Sequence, residues 1–286
     1  MIKDILSYIS DAVSENINST RAVTGGSISS AYLLETSNRN FFLKINKAPA
    51  AMEMFHAEQK GLDAIEKTGT ISVPHVHLVD ALDGKAFILM DYVENRRPDS
   101  TDYARLGMKL ASLHMIKQEN FGFNSDNFIG SLPQNNQIHS DWIEFYWEER
   151  ISPQLQLALN AGLLSAKEIP TKEKSIEIFN CFFIDVMPSL IHGDLWGGNY
   201  LISKEGTPYL IDPAVYRGHS MVDIAMSKLF GSFGEKFYDA YHEIIPKSEY
   251  HDEQVDLYQL YFLLVHLNLF GRGYYSSVSE ILKRYF

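Results

Sequence analysis

The chain has 286 residues, of which 45% are hydrophobic and 13% aromatic, so it can bury a large core as one domain or two lobes. Its formal net charge of −11 argues against a surface for the phosphate backbone of nucleic acids, and we expect no nucleic-acid partner. A lone cysteine excludes an intrachain disulfide and fits a cytoplasmic location, and neither a signal peptide nor a membrane-spanning run is recognisable.

The first third of the chain is predicted to be rich in β-structure. Apolar residues at helical spacing predict a helix over residues 1–14, and short alternating runs then predict strands within 21–35 and at 40–46. Residues 51–66 have the pattern of a second helix. Strands at 73–79 and 85–93 follow, joined by an Asp-Gly turn.

Five residues of this region are candidates for binding a nucleotide. Gly25, Gly26 and Ser27 form a turn whose backbone N–H groups could approach phosphate oxygens, although such turns are also common in simple hairpins. Lys44 is isolated in an apolar strand, where a lysine more often marks a sheet edge or extends its amine to solvent. Glu58 on the second helix could pair with Lys44, or it could be an ordinary solvated carboxylate.

The remainder of the chain is predicted to be mainly helical. Asp99 has the character of an N-cap before a helix that reaches His114. Apolar and aromatic patterns predict further helices at 142–159 and 172–186 and from 237 onward, with a loop at 120–136. The aromatic cluster at 142–147 is expected to be core, because the acids beside it disfavour base stacking.

Two polar motifs carry the chemistry. A short apolar run leads into His192-Gly193-Asp194, and Asn199 follows Asp194 by five residues. A second β-like run ends at Asp212. Each motif alone could be a polar turn capped by its own side chains. Together, and in this order, they match the base, amide and metal-binding acid of the protein-kinase catalytic loop.

Several longer runs resemble the fructosamine (ketosamine) kinase family, and the likeness covers essentially the whole chain. They are Gly25-Gly-Ser-Ile-Ser-Ser-Ala-Tyr, Trp142-Ile-Glu-Phe-Tyr-Trp-Glu-Glu-Arg-Ile-Ser-Pro-Gln-Leu, His192-Gly-Asp-Leu-Trp-Gly-Gly-Asn, Asp212-Pro-Ala-Val-Tyr, Leu229-Phe-Gly-Ser-Phe, Tyr258-Gln-Leu-Tyr and Leu267-Asn-Leu-Phe-Gly. The resemblance implies an α+β, protein-kinase-like bilobal fold: a small β-rich N-lobe over residues 1–93 and a larger α-helical C-lobe over 94–286.

The resemblance also implies an activity. Members of this family use ATP and Mg²⁺ to phosphorylate the 3-hydroxyl of sugar adducts on amines, either small molecules or glycated proteins, and the 3-phosphate promotes loss of the adduct. The alternatives are a kinase of another amine or alcohol, such as an aminoglycoside or choline, and a catalytically silent nucleotide-binding module.

Carried over by position, the resemblance assigns roles to the candidate residues. Asp194 matches the proton acceptor, while Asn199 and Asp212 match the metal ligands. Lys44 and Glu58 match the phosphate-contacting pair, and the run Asp91, Tyr92 and Val93 matches the hinge that binds adenine. Trp196 is a candidate for stacking on the substrate, against the alternative of a packing tryptophan.

Overall fold

The computed structural model describes residues 2–23 and 29–286. Gly25, Gly26 and Ser27 lie outside the described residues, so their contact with phosphate stays a prediction.

A five-stranded antiparallel sheet dominates the N-terminal third, with strands in the order β1-β2-β3-β5-β4. Its strands are β1 (Ser19–Val23), β2 (Ser30–Glu35), β3 (Asn40–Asn46), β4 (Val76–Leu82) and β5 (Lys85–Asp91). Two helices accompany the sheet, α1 (Ile2–Val13) and α2 (Ala51–Glu66). The short alternating runs of the sequence therefore form the strands of one sheet, and both faces of this sheet are covered.

The two faces of this sheet have different partners. Phe41 and Leu43 of β3 pack with α1 in a small core of their own. Residues of β5 that point the other way, such as Ile88, join α2 in the main core. Because side chains alternate along a strand, Lys44 lies on the face opposite Leu43, toward α2. This alternation brings a strand lysine toward a helix.

Helices make up most of the remaining chain. They are α3 (Ser100–His114), α4 (Trp142–Tyr146), a π-helical turn (Trp147–Ile151), α5 (Ser152–Asn160), a 3₁₀ turn (Ala166–Glu168), α6 (Lys172–Phe182), α7 (Met221–Leu229), α8 (Glu235–Ile244), α9 (His251–Phe270), a second 3₁₀ turn (Arg272–Tyr274) and α10 (Tyr275–Tyr285). In the described residues, no helix combines the length and apolar character needed to cross a membrane.

Short strands hold the two polar motifs in place. They are β6 (Asn95–Arg96), β7 (Asn127–Ile129), β8 (Leu132–Gln134), β9 (Ser189–Ile191), β10 (Tyr200–Ser203), β11 (Pro208–Leu210) and β12 (Tyr216–Gly218). β10 pairs with β11 on one side and with β6 on the other, while β9 pairs with β12. The catalytic segments therefore leave and enter paired strands, which fixes their ends.

Four sequence predictions were wrong in detail. The strand predicted at 73–79 begins only at Val76, because Pro74 has no N–H to donate to a ladder. The segment predicted as a loop at 120–136 contains the hairpin β7–β8. The helix predicted at 142–159 is interrupted by a π-helical turn. The helix predicted at 172–186 ends at Phe182, and Asp185 beyond it has a left-handed φ of 49°.

Most other elements were predicted correctly. The helix predicted at 51–66 has those bounds, and α3 begins directly after its predicted N-cap Asp99. The aromatic cluster at 142–147 is buried, as expected for core. The division into lobes at residues 93 and 94 stays a prediction.

Candidate active site

The catalytic loop begins where β9 ends and depends on a glycine. Gly193 has φ of +81°, and a Cβ at this position would lie 2.2 Å from the carbonyl oxygen of Ala214. No side chain fits such a gap without moving the backbone. The chain after Asp212 crosses directly beside the loop, so the middle position of the His-Gly-Asp motif requires glycine. Protein kinases have arginine at this position, in the motif His-Arg-Asp.

The buried carboxylate of Asp223 holds the catalytic loop through hydrogen bonds. Asp223 accepts hydrogen bonds from the backbone N–H groups of His192, at 2.7 Å, and Gly193, at 2.9 Å. The Nε2 of His114 lies 3.1 Å from the same carboxylate. Burial alone would raise the pKa of Asp223, but these partners outweigh it, so the pKa is lowered and the group stays ionised. Asp223 therefore buttresses the catalytic loop.

The three residues of the two motifs come together. The Nδ2 of Asn199 donates to the backbone oxygen of Asp194 at 2.8 Å and to its Oδ2 at 3.2 Å. It also approaches the backbone oxygen of Asp212 at 3.5 Å. Burial, followed by the charges of Asp212 and Asp223, raises the pKa of Asp194 to about 7. The spacing read from sequence thus yields one compact site.

The lysine and glutamate predicted to pair do so. The Nζ of Lys44 lies 2.7 Å from Oε1 of Glu58, and both side chains are nearly buried, at 12% and 13% exposure. The ammonium also contacts Oδ1 of Asp212, a contact that no local sequence pattern predicts. Burial opposes the charge of Lys44, but the two carboxylates outweigh it and raise its pKa. Strand β3, helix α2 and the Asp212 motif therefore meet at one ammonium.

The candidate hinge is tied down on both sides. The Nε2 of His77 lies 2.7 Å from Oδ1 of Asp91. The backbone N–H of Asp91 donates to His75, and that of Tyr92 donates to Asn40. Among the described residues, the backbone N–H of Val93 donates to no backbone oxygen. Val93 thus has a free main-chain donor two residues after the end of β5, as an adenine-binding hinge requires.

Trp196 lies on the surface of the catalytic loop. Its side chain is exposed at 41% of its area. The indole covers the backbone of Gly198, since a Cβ there would lie 2.4 Å from its Cη2. One face is therefore packed on the loop, and part of the ring remains open to solvent. Both the packing and the stacking interpretations made from sequence are compatible with this position.

One buried residue near the site was missed from sequence. Arg150, in the π-helical turn, has no exposed area, and its guanidinium lies 4.0 Å from the ring centroid of Tyr216. It donates to the backbone oxygen of Asn135 and to Oδ1 of Asn136, each at 2.6 Å. Within residues 2–23 and 29–286, Arg150 forms no ion pair with a carboxylate. Its only signal in the sequence was a basic residue directly after an aromatic and acidic cluster.

The profile of the family described as fructosamine kinase matches residues 1–286, the entire chain. The chain belongs to the fructosamine kinase family. It is accordingly an ATP-dependent phosphotransferase.

Relatives in this family span most of the chain. The chain is 39% identical over 285 residues to the chloroplastic protein-ribulosamine 3-kinase of Arabidopsis thaliana, covering 97% of this chain and 85% of that protein. It is 34% identical over 297 residues to the ketosamine-3-kinase of Mus musculus, covering 94% and 95% of the two chains.

Comparison with solved structures identifies the fold of the chain. A Haemophilus somnus 129PT protein of 27% identity superimposes with a TM-score of 0.88 over 100% of this chain and 98% of its own. A thermostable mutant of the aminoglycoside phosphotransferase APH(4)-Ia, solved with ADP and hygromycin B, has a TM-score of 0.66 at 12% identity, with 98% of both chains covered. At that identity it shows the fold alone. The predicted α+β, kinase-like fold of this fructosamine kinase family member is confirmed.

Proposed function

We propose that this protein is a ketosamine 3-kinase, which transfers the terminal phosphate of ATP to the 3-hydroxyl of sugar adducts on amines. The observation that carries the proposal is the convergence of Asp194, Asn199, Asp212 and Lys44 in a chain with whole-length family similarity. The names of the Arabidopsis thaliana and Mus musculus relatives support the ketosamine as substrate class. We also propose a cytoplasmic location, in keeping with the unpaired thiol of Cys181.

Asp194 is proposed to orient the sugar hydroxyl and accept its proton. Its carboxylate is fixed by the amide of Asn199 and lies in the field of Asp212. A base with a raised pKa accepts a proton more readily near neutral pH than an exposed aspartate does. Positioning of this kind, rather than covalent chemistry by the protein, accounts for most of the catalysis in phosphoryl transfer.

The residues present fit a magnesium ion held jointly with the phosphates of ATP. The Nδ2 of Asn199 is engaged with Asp194, which leaves its Oδ1 to face a cation, and the carboxylate of Asp212 is 41% exposed. Among the described residues, no cluster of three or more His, Cys, Asp or Glu could hold a metal unaided. Mg²⁺ on a nucleotide needs only one or two protein ligands, and it would neutralise charge on the phosphates.

Lys44 is proposed to bind the phosphates, with Glu58 fixing its direction and Asp212 exchanging its contact with Lys44 for the cation. Gly25, Gly26 and Ser27 are proposed to cover the phosphates, and the segment Asp91, Tyr92 and Val93 to bind adenine. Trp196, partly exposed on the catalytic loop, is proposed to stack on the substrate.

A phosphate-transfer assay with four acceptors tests the proposal. Purified protein is incubated with Mg²⁺-ATP and ribuloselysine, fructoselysine, choline or kanamycin, and ADP release is followed by a coupled assay. We expect turnover on the ketosamines alone, with NMR locating the new phosphate on O3. Turnover on kanamycin or choline instead would replace the proposal by an aminoglycoside or choline kinase. Absence of turnover with all four, while ATP still binds, would indicate a silent nucleotide-binding module.

A further inference from the structure

A strip of partly exposed aromatic residues extends away from the catalytic loop. Phe230 and Phe270 are 41% and 62% exposed, which is unusual for phenylalanine in a chain with so large a core. His266 joins them, with its ring centroid 4.8 Å from that of Phe230 and 5.5 Å from that of Phe270. Tyr274 completes the group, 5.1 Å from His266. We refer to Phe230, His266, Phe270 and Tyr274 as the aromatic strip.

The strip is continuous with the catalytic loop through the segment after α7. A Cβ on Gly197 would lie only 2.4 Å from the Cβ of Ser232, so the two backbones touch. The carbonyl oxygen of Ser232 is held by the hydroxyl of Tyr103 at 3.0 Å and that of Tyr200 at 3.1 Å. Phe230 is two residues before this anchored point, and Trp196 directly precedes Gly197. Phe230, the first residue of the strip, is therefore two residues from a direct contact with the catalytic loop.

The strip carries no charge, and its central ring, that of His266, is held by a hydrogen bond. The Nδ1–H of His266 donates to the backbone oxygen of Phe262 at 2.8 Å. Burial lowers the pKa of His266, which keeps its ring neutral. The neighbouring cations are directed elsewhere, since Arg272 lies over Tyr275 and Lys228 over Tyr238. The strip thus offers uncharged aromatic faces to a ligand that extends out of the active site.

We propose that the aromatic strip binds the arm that joins the ketosamine nitrogen to its carrier, namely the alkyl chain of a glycated lysine. This inference rests on the proposed function. In this arrangement the sugar hydroxyl lies at Asp194, and the nitrogen substituent leaves the cleft over Gly197 toward the segment that holds Ser232. Aromatic faces pack well against alkyl chains, so a strip of this kind suits a long arm better than a short one.

The test compares two substrates that differ only in this arm. Ribuloselysine carries the full lysine chain, and the ribulose adduct of methylamine carries a single methyl group. In Phe270→Ala and Phe230→Ala, we expect KM for ribuloselysine to rise about 5- to 20-fold while kcat changes less than about twofold, because apolar contact with the alkyl chain is lost. KM for the methylamine adduct should stay within about twofold of the wild-type value. Phe270→Tyr, which keeps the ring, should behave as the wild type does.

A matched control removes an exposed apolar side chain elsewhere. Met187 is 72% exposed and lies before β9, at the end of that strand away from the catalytic loop. Met187→Ala should leave both KM values unchanged. If the wild type uses both adducts and the two phenylalanine variants treat them alike, the strip does not bind the arm and the proposed function still stands. If the wild type uses neither adduct, the proposed function fails, and this inference fails with it.

Discussion

At the scale of single residues, the site depends on a glycine as much as on its acids. Gly193→Ala would drive a methyl group to within 2.2 Å of the oxygen of Ala214, so the loop and the segment after Asp212 must separate. We expect kcat to fall by at least about 100-fold, because displacing a catalytic group by an ångström has that effect. The measurement is kcat with ribuloselysine, together with the midpoint of urea unfolding.

The control for this substitution is Gly162→Ala. Gly162 has a similar φ of +67°, but nothing lies within 4 Å of its added Cβ. It should lose about 1 kcal/mol of stability from backbone strain and keep its kcat. Equal kcat values in the two variants would contradict the steric account of Gly193.

Substitution of Asp194 and substitution of Asp212 are expected to impair catalysis in different ways. Asp194→Asn keeps the shape of the side chain but removes the proton acceptor, so kcat should fall by about 100- to 10,000-fold while Mg²⁺-ATP binds as before. Asp212→Asn should instead weaken Mg²⁺-ATP binding and lower kcat as severely, because this carboxylate contacts Lys44 and is the proposed ligand of the cation. Calorimetric titration of Mg²⁺-ATP separates the two, and equal binding losses would refute the assigned roles.

Residue types and spacing were sufficient to predict much of the site. The interval between Asp194 and Asn199, the position of Asp212 after a strand, and Lys44 opposite Glu58 are all local patterns. The contact of Lys44 with Asp212 joins residues 168 positions apart, and nothing in a local pattern encodes such a distance. Arg150 was missed for the same reason, since its partners are rings and carbonyls that come together only on folding.

At the scale of secondary-structure elements, the C-terminal end of α3 helps to hold the catalytic loop. Its N-terminus has a capping box, in which the Asp99 side chain accepts from Asp102 N–H and the Asp102 side chain accepts from Asp99 N–H. Its last residue is His114, the partner of Asp223. We expect Asp99→Ala to cost about 1 kcal/mol of stability with kcat unchanged, because the cap lies a full helix away from His114.

Urea unfolding and steady-state kinetics measure the two effects of Asp99→Ala. Ser100→Ala is the matched control, since it alters an exposed neighbour outside the capping box. A loss of kcat in Asp99→Ala at a temperature where the protein is fully folded would show that the cap and His114 are coupled.

Strongly periodic elements were predictable, whereas their interruptions were not. The helix at 51–66 and the start of α3 follow from apolar spacing and a capping residue. The π-helical turn at Trp147–Ile151 accommodates Arg150 against Tyr216, so its cause lies in tertiary packing. The hairpin β7–β8 similarly depends on Asn127, which donates to the backbone of Val215 near the site.

At the scale of the whole molecule, stability toward acid is expected to depend on a buried histidine that is not one of the active-site residues. His251, the first residue of α9, is 6% exposed, and neither ring nitrogen has a hydrogen-bond partner in the part of the chain that the structure describes. Burial first, and then the nearby cations Lys228 and Lys247 together with His242, lower its pKa to about 4, while Asp252 opposes them. The native state therefore keeps this ring neutral over a range in which the unfolded chain binds a proton.

The sign of the effect follows from that difference in proton binding. As pH falls from 6.5 toward 4, the unfolded state gains a proton that the native state does not, so stability falls with acid. Between pH 7.5 and pH 5 the loss amounts to about 2 kcal/mol. His251→Phe cannot titrate and leaves no unpaired ring nitrogen, so its stability should fall by that much less over the same interval. His56→Gln, at an exposed position on α2, should follow the wild type. Urea unfolding of the three proteins at both pH values decides the matter, and parallel losses in the wild type and His251→Phe would show that His251 does not set the acid limit.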